Sequence, residues 1–141
     1  MHLSSKTHNA CLAVLELSMR YDQSQPINLR TIAEPHGISC QFLVQILLQL
    51  KRAGLVRSIR GACGGYQLTV PPHEISLMDV MTAMEGPPPD TPHSSRENAV
   101  AHVMEQTWSR MCESQQVQLA EITFDQLVQQ AQQETADMYY I

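Results

Sequence analysis

Residues Ile38 to Val70 read ISCQFLVQILLQLKRAGLVRSIRGACGGYQLTV. Leu43, Ile46, Leu47 and Leu50 recur at helical spacing and share one narrow arc at about 100° per residue. Ser39 stands where an N-cap accepts a hydrogen bond from the first turn. Gly54 stands where a C′ residue ends a helix. The pattern predicts a helix from Ser39 to about Ala53. Beyond it, Val56 to Ile59 and Tyr66 to Val70 are short strand candidates, with Tyr66, Leu68 and Val70 on one face. The RGACGG run between them is rich in residues that allow positive φ, and Pro71-Pro72 stops the second strand. A helix, a glycine stop and a basic, glycine-rich hairpin predict a helix followed by a β-wing.

Upstream, Lys6 to Tyr21 reads as a first helix. Ala10, Ala13, Val14 and Leu17 repeat at i, i+3, i+4 and i+7, and Ser4 or Ser5 can cap it. Asp22 to Pro26 is a polar connector. Leu29 to Glu34 is a short second helix with Leu29, Ile32 and Ala33 inward. Pro35 disfavours helix at the residue before it, so this helix stops near Ala33 or Glu34, and His36-Gly37 makes the turn. Two helices joined by a tight glycine-containing turn are a helix-turn-helix.

Downstream, Ser76 to Glu85 reads as a helix capped by Ser76, with Leu77, Val80, Met81 and Met84 inward. Gly86 to Ser95, GPPPDTPHSS, is a linker, because four prolines in ten residues suit neither helix nor ladder. Arg96 to about Gln118 is a long helix with an apolar stripe of Val100, Val103, Met104, Trp108 and Met111. A last helix, Thr123 to Gln133, presents Phe124, Leu127 and Val128, and the tail ADMYYI is expected to be loosely held. The fold expected is mainly α with a small β-wing. A winged helix-turn-helix DNA-binding domain spans 1–85, a Pro-rich linker 86–95, and a helical dimerisation region with the long dimerisation helix 96–141.

The chain has 141 residues, 43% of them hydrophobic, which suits one globular core. No apolar run approaches the roughly 18 residues of a membrane span, and the N-terminus lacks the apolar region of a signal peptide. A cytoplasmic location without membrane contact is expected. The net charge of −5 hides an asymmetry. Residues 1–70 carry +4, and residues 71–141 carry −9. A basic half joined to an acidic half suggests that one half meets a polyanion.

The arc opposite the apolar stripe of the third helix holds Gln41, Gln45, Leu48 and Arg52, with Gln49 beside it. A helix with a polar outer face fits the major groove, where a Gln amide can pair with adenine N6 and N7. Lys51 and Arg52 suit phosphate contacts, which position without reading sequence. Arg60 opens the wing turn, and a wing arginine can enter the minor groove. No enzyme signature is present: GACGGY lacks the GK[ST] of a phosphate loop. His93, His102 and Cys112 have spacings that match no zinc pattern, so no metal or cofactor is expected. Cys11, Cys40, Cys63 and Cys112 are scattered, with no CxxC pair, and reduced thiols are the default. Cys11 is expected in the core. Cys63, in the wing near Arg60, is open to a second reading as a redox-sensitive thiol, with Cys40 a lesser version of the same idea.

LSSKTHNACLAVLELS, IAEPHGISCQFLVQILLQLKRAGLVRSIRGACGGYQL and EISLMDVMTAMEGP together resemble the Rrf-type family of bacterial winged-helix transcription regulators. The likeness is strong over about residues 1–87 and extends beyond only in layout. It implies a homodimer held by the long helix after the linker, binding double-stranded DNA at a pseudo-palindromic operator; the direction of regulation stays open between repressor and activator, with a repressor expected. By position, Gln41, Phe42 and Gln45 fall on recognition-helix contacts, and Arg60 and Gly61 on the wing contact. With the Ser39 cap and the Lys51 and Arg52 cations they form the expected DNA-binding set. Two departures stand out. Val44 occupies a place where some members carry Glu, and Phe42 replaces a common Tyr. A third departure concerns sensing. Members with an iron–sulfur cluster have three closely spaced cysteines between linker and long helix, whereas Pro87 to Met104 contains none, so no cluster is expected. The signal stays open between a small molecule, a partner protein, thiol oxidation through Cys63, and none at all. The alternative to a DNA-binding regulator is a winged-helix module that docks a protein.

Overall fold

The computed structural model describes residues 3–88 and 98–139. Among these the chain forms six α-helices and one β-hairpin. Helix α1 is Ser5–Met19, with the Ser4 hydroxyl oxygen accepting from the Thr7 amide at 3.1 Å. Its inward residues Ala10, Ala13, Val14 and Leu17 are all buried. Helix α2, Leu29–Ala33, is capped by Asn28, whose side-chain oxygen accepts from the Thr31 amide. The chain does not turn directly at Pro35. It continues as a 3-10 turn, Glu34–His36, with the proline in its first positions, where a missing N–H costs nothing. Gly37 then reverses the chain at φ 62°, a conformation cheap only for glycine.

Helix α3 is Cys40–Arg52, capped by Ser39 through the Phe42 amide at 3.2 Å. Leu43, Ile46, Leu47 and Leu50 have no exposed surface. Burying each is worth about 1.5–3 kcal/mol, so the stripe fixes the rotation of the helix about its axis. Strand β1 is Val56–Ile59 and strand β2 Gly65–Leu68, antiparallel with Val56 opposite Leu68 and Ile59 opposite Gly65. The second strand therefore starts one residue earlier and ends two residues sooner than the alternation of Tyr66, Leu68 and Val70 predicts. The Thr69 amide still donates to the Leu55 carbonyl at 3.0 Å, but the Leu55 amide turns back to the Leu50 carbonyl of α3, so the ladder is not completed there. The sequence gives no sign of a third partner for the hairpin. Ile27 exchanges two backbone bonds with Tyr66, at 2.8 and 2.9 Å. A Cβ on Gly65 would stand 2.3 Å from the Ile27 carbonyl oxygen, so this close approach requires glycine.

After a 3-10 turn at Pro72–Glu74, helix α4 runs Leu77–Glu85 behind a capping box formed by Ser76 and Asp79. Val80 and Met84 are buried, and Leu77 and Met81 are half-buried. Glu85 reaches back to α1, where the hydroxyls of Ser4 and Thr7 donate to its carboxylate at 2.5 and 2.6 Å. These bonds hold its carboxyl below the ordinary carboxylate value. Their contribution is present above the unfolded pKa and is lost as pH falls through the lower folded one.

Helix α5, Ala99–Glu121, has no buried residue, and α6 spans Phe124–Tyr139. Only residues 86–88 of the Pro-rich linker lie within the described part, and Arg96, His93, Tyr140 and Ile141 lie outside it. The last helix runs six residues beyond Gln133, so Ala136 to Tyr139 are helical rather than a loose tail. Ala, Gln, Glu and Met in this stretch are adequate helix formers. The α5–α6 corner is tied to the segment before α4. Leu77 donates to the Ile122 carbonyl, and Phe124 donates to the Ile75 carbonyl, both at 2.9 Å. Phe124 is fully buried in the same core as α1 and α3, and α6 packs along α1. No helix of the described residues is long and apolar enough to cross a membrane.

Phe124 thus anchors the C-terminal helices to the winged helix. Phe124→Ala is expected to cost about 3–5 kcal/mol, read as a lowered denaturant midpoint in chemical unfolding. A change under 1 kcal/mol would show that the anchor lies elsewhere.

Candidate nucleic-acid interface

The buried stripe of α3 leaves Gln41, Gln45, Leu48 and Arg52 on the outward arc, all exposed. Phe42, Val44 and Leu48 are 37%, 40% and 40% exposed, so three apolar side chains share this polar face. The two shoulders of the helix meet different elements. On one, Lys51 Nζ donates to the Ser58 hydroxyl of β1 at 2.8 Å. On the other, Phe42 and Gln49 share a recess with Lys6 of α1. Lys51 and Arg52, in the last turn, also suit the negative end of the helix dipole.

Arg60 and Gly61 occupy the exposed tip of the hairpin. Among the described residues, no hydrogen bond or ion pair engages the guanidinium of Arg60 or of Arg52. Arg57, by contrast, is committed. It donates twice to the Gln67 side-chain oxygen, at 3.0 and 3.2 Å, and Gln67 donates to the Ser24 carbonyl. This bridge fastens the wing to the loop after α1. All eight residues expected to meet DNA, Ser39, Gln41, Phe42, Gln45, Lys51, Arg52, Arg60 and Gly61, are exposed.

A brace that sequence reading misses holds the turn between α2 and α3. Glu16 on α1 accepts from Arg20 one turn later, and its other oxygen lies 2.8 Å from His36 Nε2. His36 immediately precedes the Gly37 reversal. Twenty residues separate Glu16 from His36, and no local pattern in the sequence links them.

The stripe on α5 is open. Val100, Val103, Met104, Trp108 and Met111 are between 53% and 77% exposed. On a helical wheel they fill an arc of about 140°. The half-buried residues Cys112, Gln115, Gln116 and Leu119 face α4 instead, where they share a cavity with Met78 and Met81.

The four thiols sit on separate elements. Cys11 packs against the core, and burial pushes its thiol up to about 11. Cys40 begins α3 and Cys63 lies in the wing turn, both exposed, and Cys112 is half-buried on α5. His102 is exposed. Among the described residues, no three His, Cys, Asp or Glu side chains gather as a metal site.

A model of the Rrf2 family, described as an iron-dependent transcriptional regulator, matches residues 3–130. The residues present do not fit an iron–sulfur group, since the four cysteines are dispersed and no cysteine lies between Pro87 and Met104. The HTH-type transcriptional regulator IscR of Vibrio campbellii is 39% identical over 85 residues, 60% of this chain and 50% of that protein. CymR of Bacillus subtilis is 37% identical over 87 residues, 62% of each chain. The solved structure of that CymR, a global cysteine regulator, matches with a TM-score of 0.78 at 29% identity, covering 92% of this chain and 97% of the other. T. potens IscR matches with a TM-score of 0.77 at 28% identity, covering 93% and 88%. The chain spans about half the length of the first curated relatives it matches. With a family match over most of its length and a helix-turn-helix and wing in the matching order, the chain belongs to the Rrf2 family of transcriptional regulators.

Proposed function

We propose that this protein is a homodimeric, sequence-specific DNA-binding regulator, acting as a repressor on a pseudo-palindromic operator. The observation that carries the reading is the outward face of α3. It is exposed along its whole length, it carries Gln41 and Gln45 toward its N-terminus, and it stands beside a wing tip with an uncommitted Arg60. The N-terminal part of a recognition helix is the part that meets base edges. Gln41 and Gln45 supply bidentate amides, and Phe42, Val44 and Leu48 supply apolar contacts of the kind that thymine methyls accept. Arg52 and Lys51 serve as phosphate contacts, and Arg60 with Gly61 serves the minor groove beside the site.

The open stripe on α5 supports a dimer. A helix of 23 residues is about 34 Å long, and five large apolar side chains exposed along it are costly unless covered. A second copy of the same helix covers them symmetrically. Such pairing also places two recognition helices for two half-sites. The exposed Cys63 thiol in the wing turn favours oxidation as a signal that would act directly on DNA affinity, and peroxide treatment followed by Cys63→Ser tests it.

Capture of fragmented genomic DNA on the purified protein, followed by sequencing, tests the reading as a whole. A few promoter fragments sharing an inverted repeat are expected. A folded protein that enriches none would point to a protein-docking module instead. On an enriched fragment, Gln45→Ala is expected to weaken binding by about 5- to 150-fold and relax the preference at one base pair. Arg60→Ala should weaken binding with little change in the preferred major-groove sequence. Trp108→Glu should give a monomer in sedimentation with unchanged helix content and a sharp loss of binding to the inverted repeat. A dimer that survives this change would move the interface off α5.

A further inference from the structure

Lys6 is a cation with no role in the reading so far. It lies in the first turn of α1 and is half-buried. With Phe42, Gln45, Gln49 and Arg52 it lines a recess of about 360 Å³ on one shoulder of α3. Two cations and two amides surround this recess, and no carboxylate is among its lining residues. The opposite shoulder of α3 belongs to the wing, through the Lys51–Ser58 bond. The recognition helix is therefore flanked on both sides by an element that carries a positive charge.

A helix seated in a major groove has a sugar–phosphate backbone along each of its sides, because the groove is only about 12 Å wide. The wing accounts for one side. We propose that Lys6 is a DNA phosphate contact on the other side, and that with Arg52 it seats a backbone phosphodiester in the recess beside Gln45 and Gln49. The contact rests on the DNA-binding reading above and adds a second cationic wall to it. It would position the recognition helix rather than read bases.

The competing role for Lys6 is to serve Glu85, whose ionised form it favours. That carboxylate is already engaged by the Ser4 and Thr7 hydroxyls. Among the described residues, no ion pair within 4.0 Å joins it to Lys6. A lysine that served only Glu85 would act on thermal stability and leave the salt dependence of DNA binding alone.

The two roles separate in a salt titration of the full chain on a random-sequence DNA duplex long enough for both half-sites. Each phosphate contact contributes about 0.9 to the slope of log K against log salt. Lys6→Gln is expected to flatten that slope by about 0.9 for each bound protomer and to weaken binding at fixed salt. Lys6→Arg should restore the wild-type slope, and thermal unfolding of both variants separates lost contact from lost fold. A Lys6→Gln slope parallel to that of a DNA-binding wild type overturns the proposal and leaves the regulator reading standing. A wild type that binds no duplex at any salt removes that reading and this contact together.

Discussion

The rotational setting of α3 is the constraint on which the rest of the structure depends. Four side chains, Leu43, Ile46, Leu47 and Leu50, are fully buried on one arc. Turning the helix by one residue, about 100°, would bring Gln45 and Gln49 into the places of Ile46 and Leu50 and expose leucines. The cost of burying an unpaired amide adds to the lost apolar burial, so one setting wins by several kcal/mol. Everything on the outward face inherits that setting. The two ends of the helix reinforce it: Ser39 fixes where it begins, and Lys51 fastens its last turn to the wing. Glu16 holds the preceding turn to α1 through His36. The rigid part of the interface is therefore built on helices, and the loops supply only the wing tip.

What was legible in the sequence follows from what is local. The spacing of the four buried residues places α3 within one residue at each end, and the caps Ser4, Ser39 and Ser76 are each found bonded to the first turn. Strand β1 matches its predicted bounds because valine and isoleucine sit between a glycine stop and a glycine-rich turn. Contacts over long separations were not legible. Ile27 pairs with Tyr66 across 39 positions of sequence, yet the PIN tripeptide around it looks like any connector. Lys6 reads as a solvated charge until α1 is laid beside α3. The C-terminal helix outruns its apolar period, because polar residues weaken that period while helix propensity carries the helix to Tyr139.

Phe124 shows the same limit on a larger scale. As a sequence feature it is the first apolar residue of a terminal helix, with no sign that it belongs to the core of the winged helix. In the fold it is fully buried there, and two backbone bonds at Ile75 and Leu77 lock its approach. The helices that follow the linker are consequently coupled to α1 and α4, not merely tethered by a Pro-rich segment. A long helix with an open apolar face is thereby joined to the element that carries the recognition helix. A displacement of α5 has a packed route to α3 through α4 and α1.

That coupling bears on how a family described as iron-dependent can operate in a chain whose thiols are dispersed. Any signal that interacts differently with two arrangements of a packed element can bias it between them. The reading head needs no cluster to hold its shape: its stripe, caps and brace are supplied by leucine, serine, glutamate and histidine. Half of the carboxylates of the described residues, meanwhile, lie on α5 and α6, and neither the wing nor the recess at Lys6 contains one. Glu105, Glu113, Glu121, Asp125, Glu134 and Asp137 all lie on those two helices. Like charges on the polyanion side would raise the cost of association, so this distribution favours one orientation of the molecule on DNA. The segregation of charge and the setting of α3 thus select the same face, one by repulsion over the length of the molecule and the other by packing at contact distance.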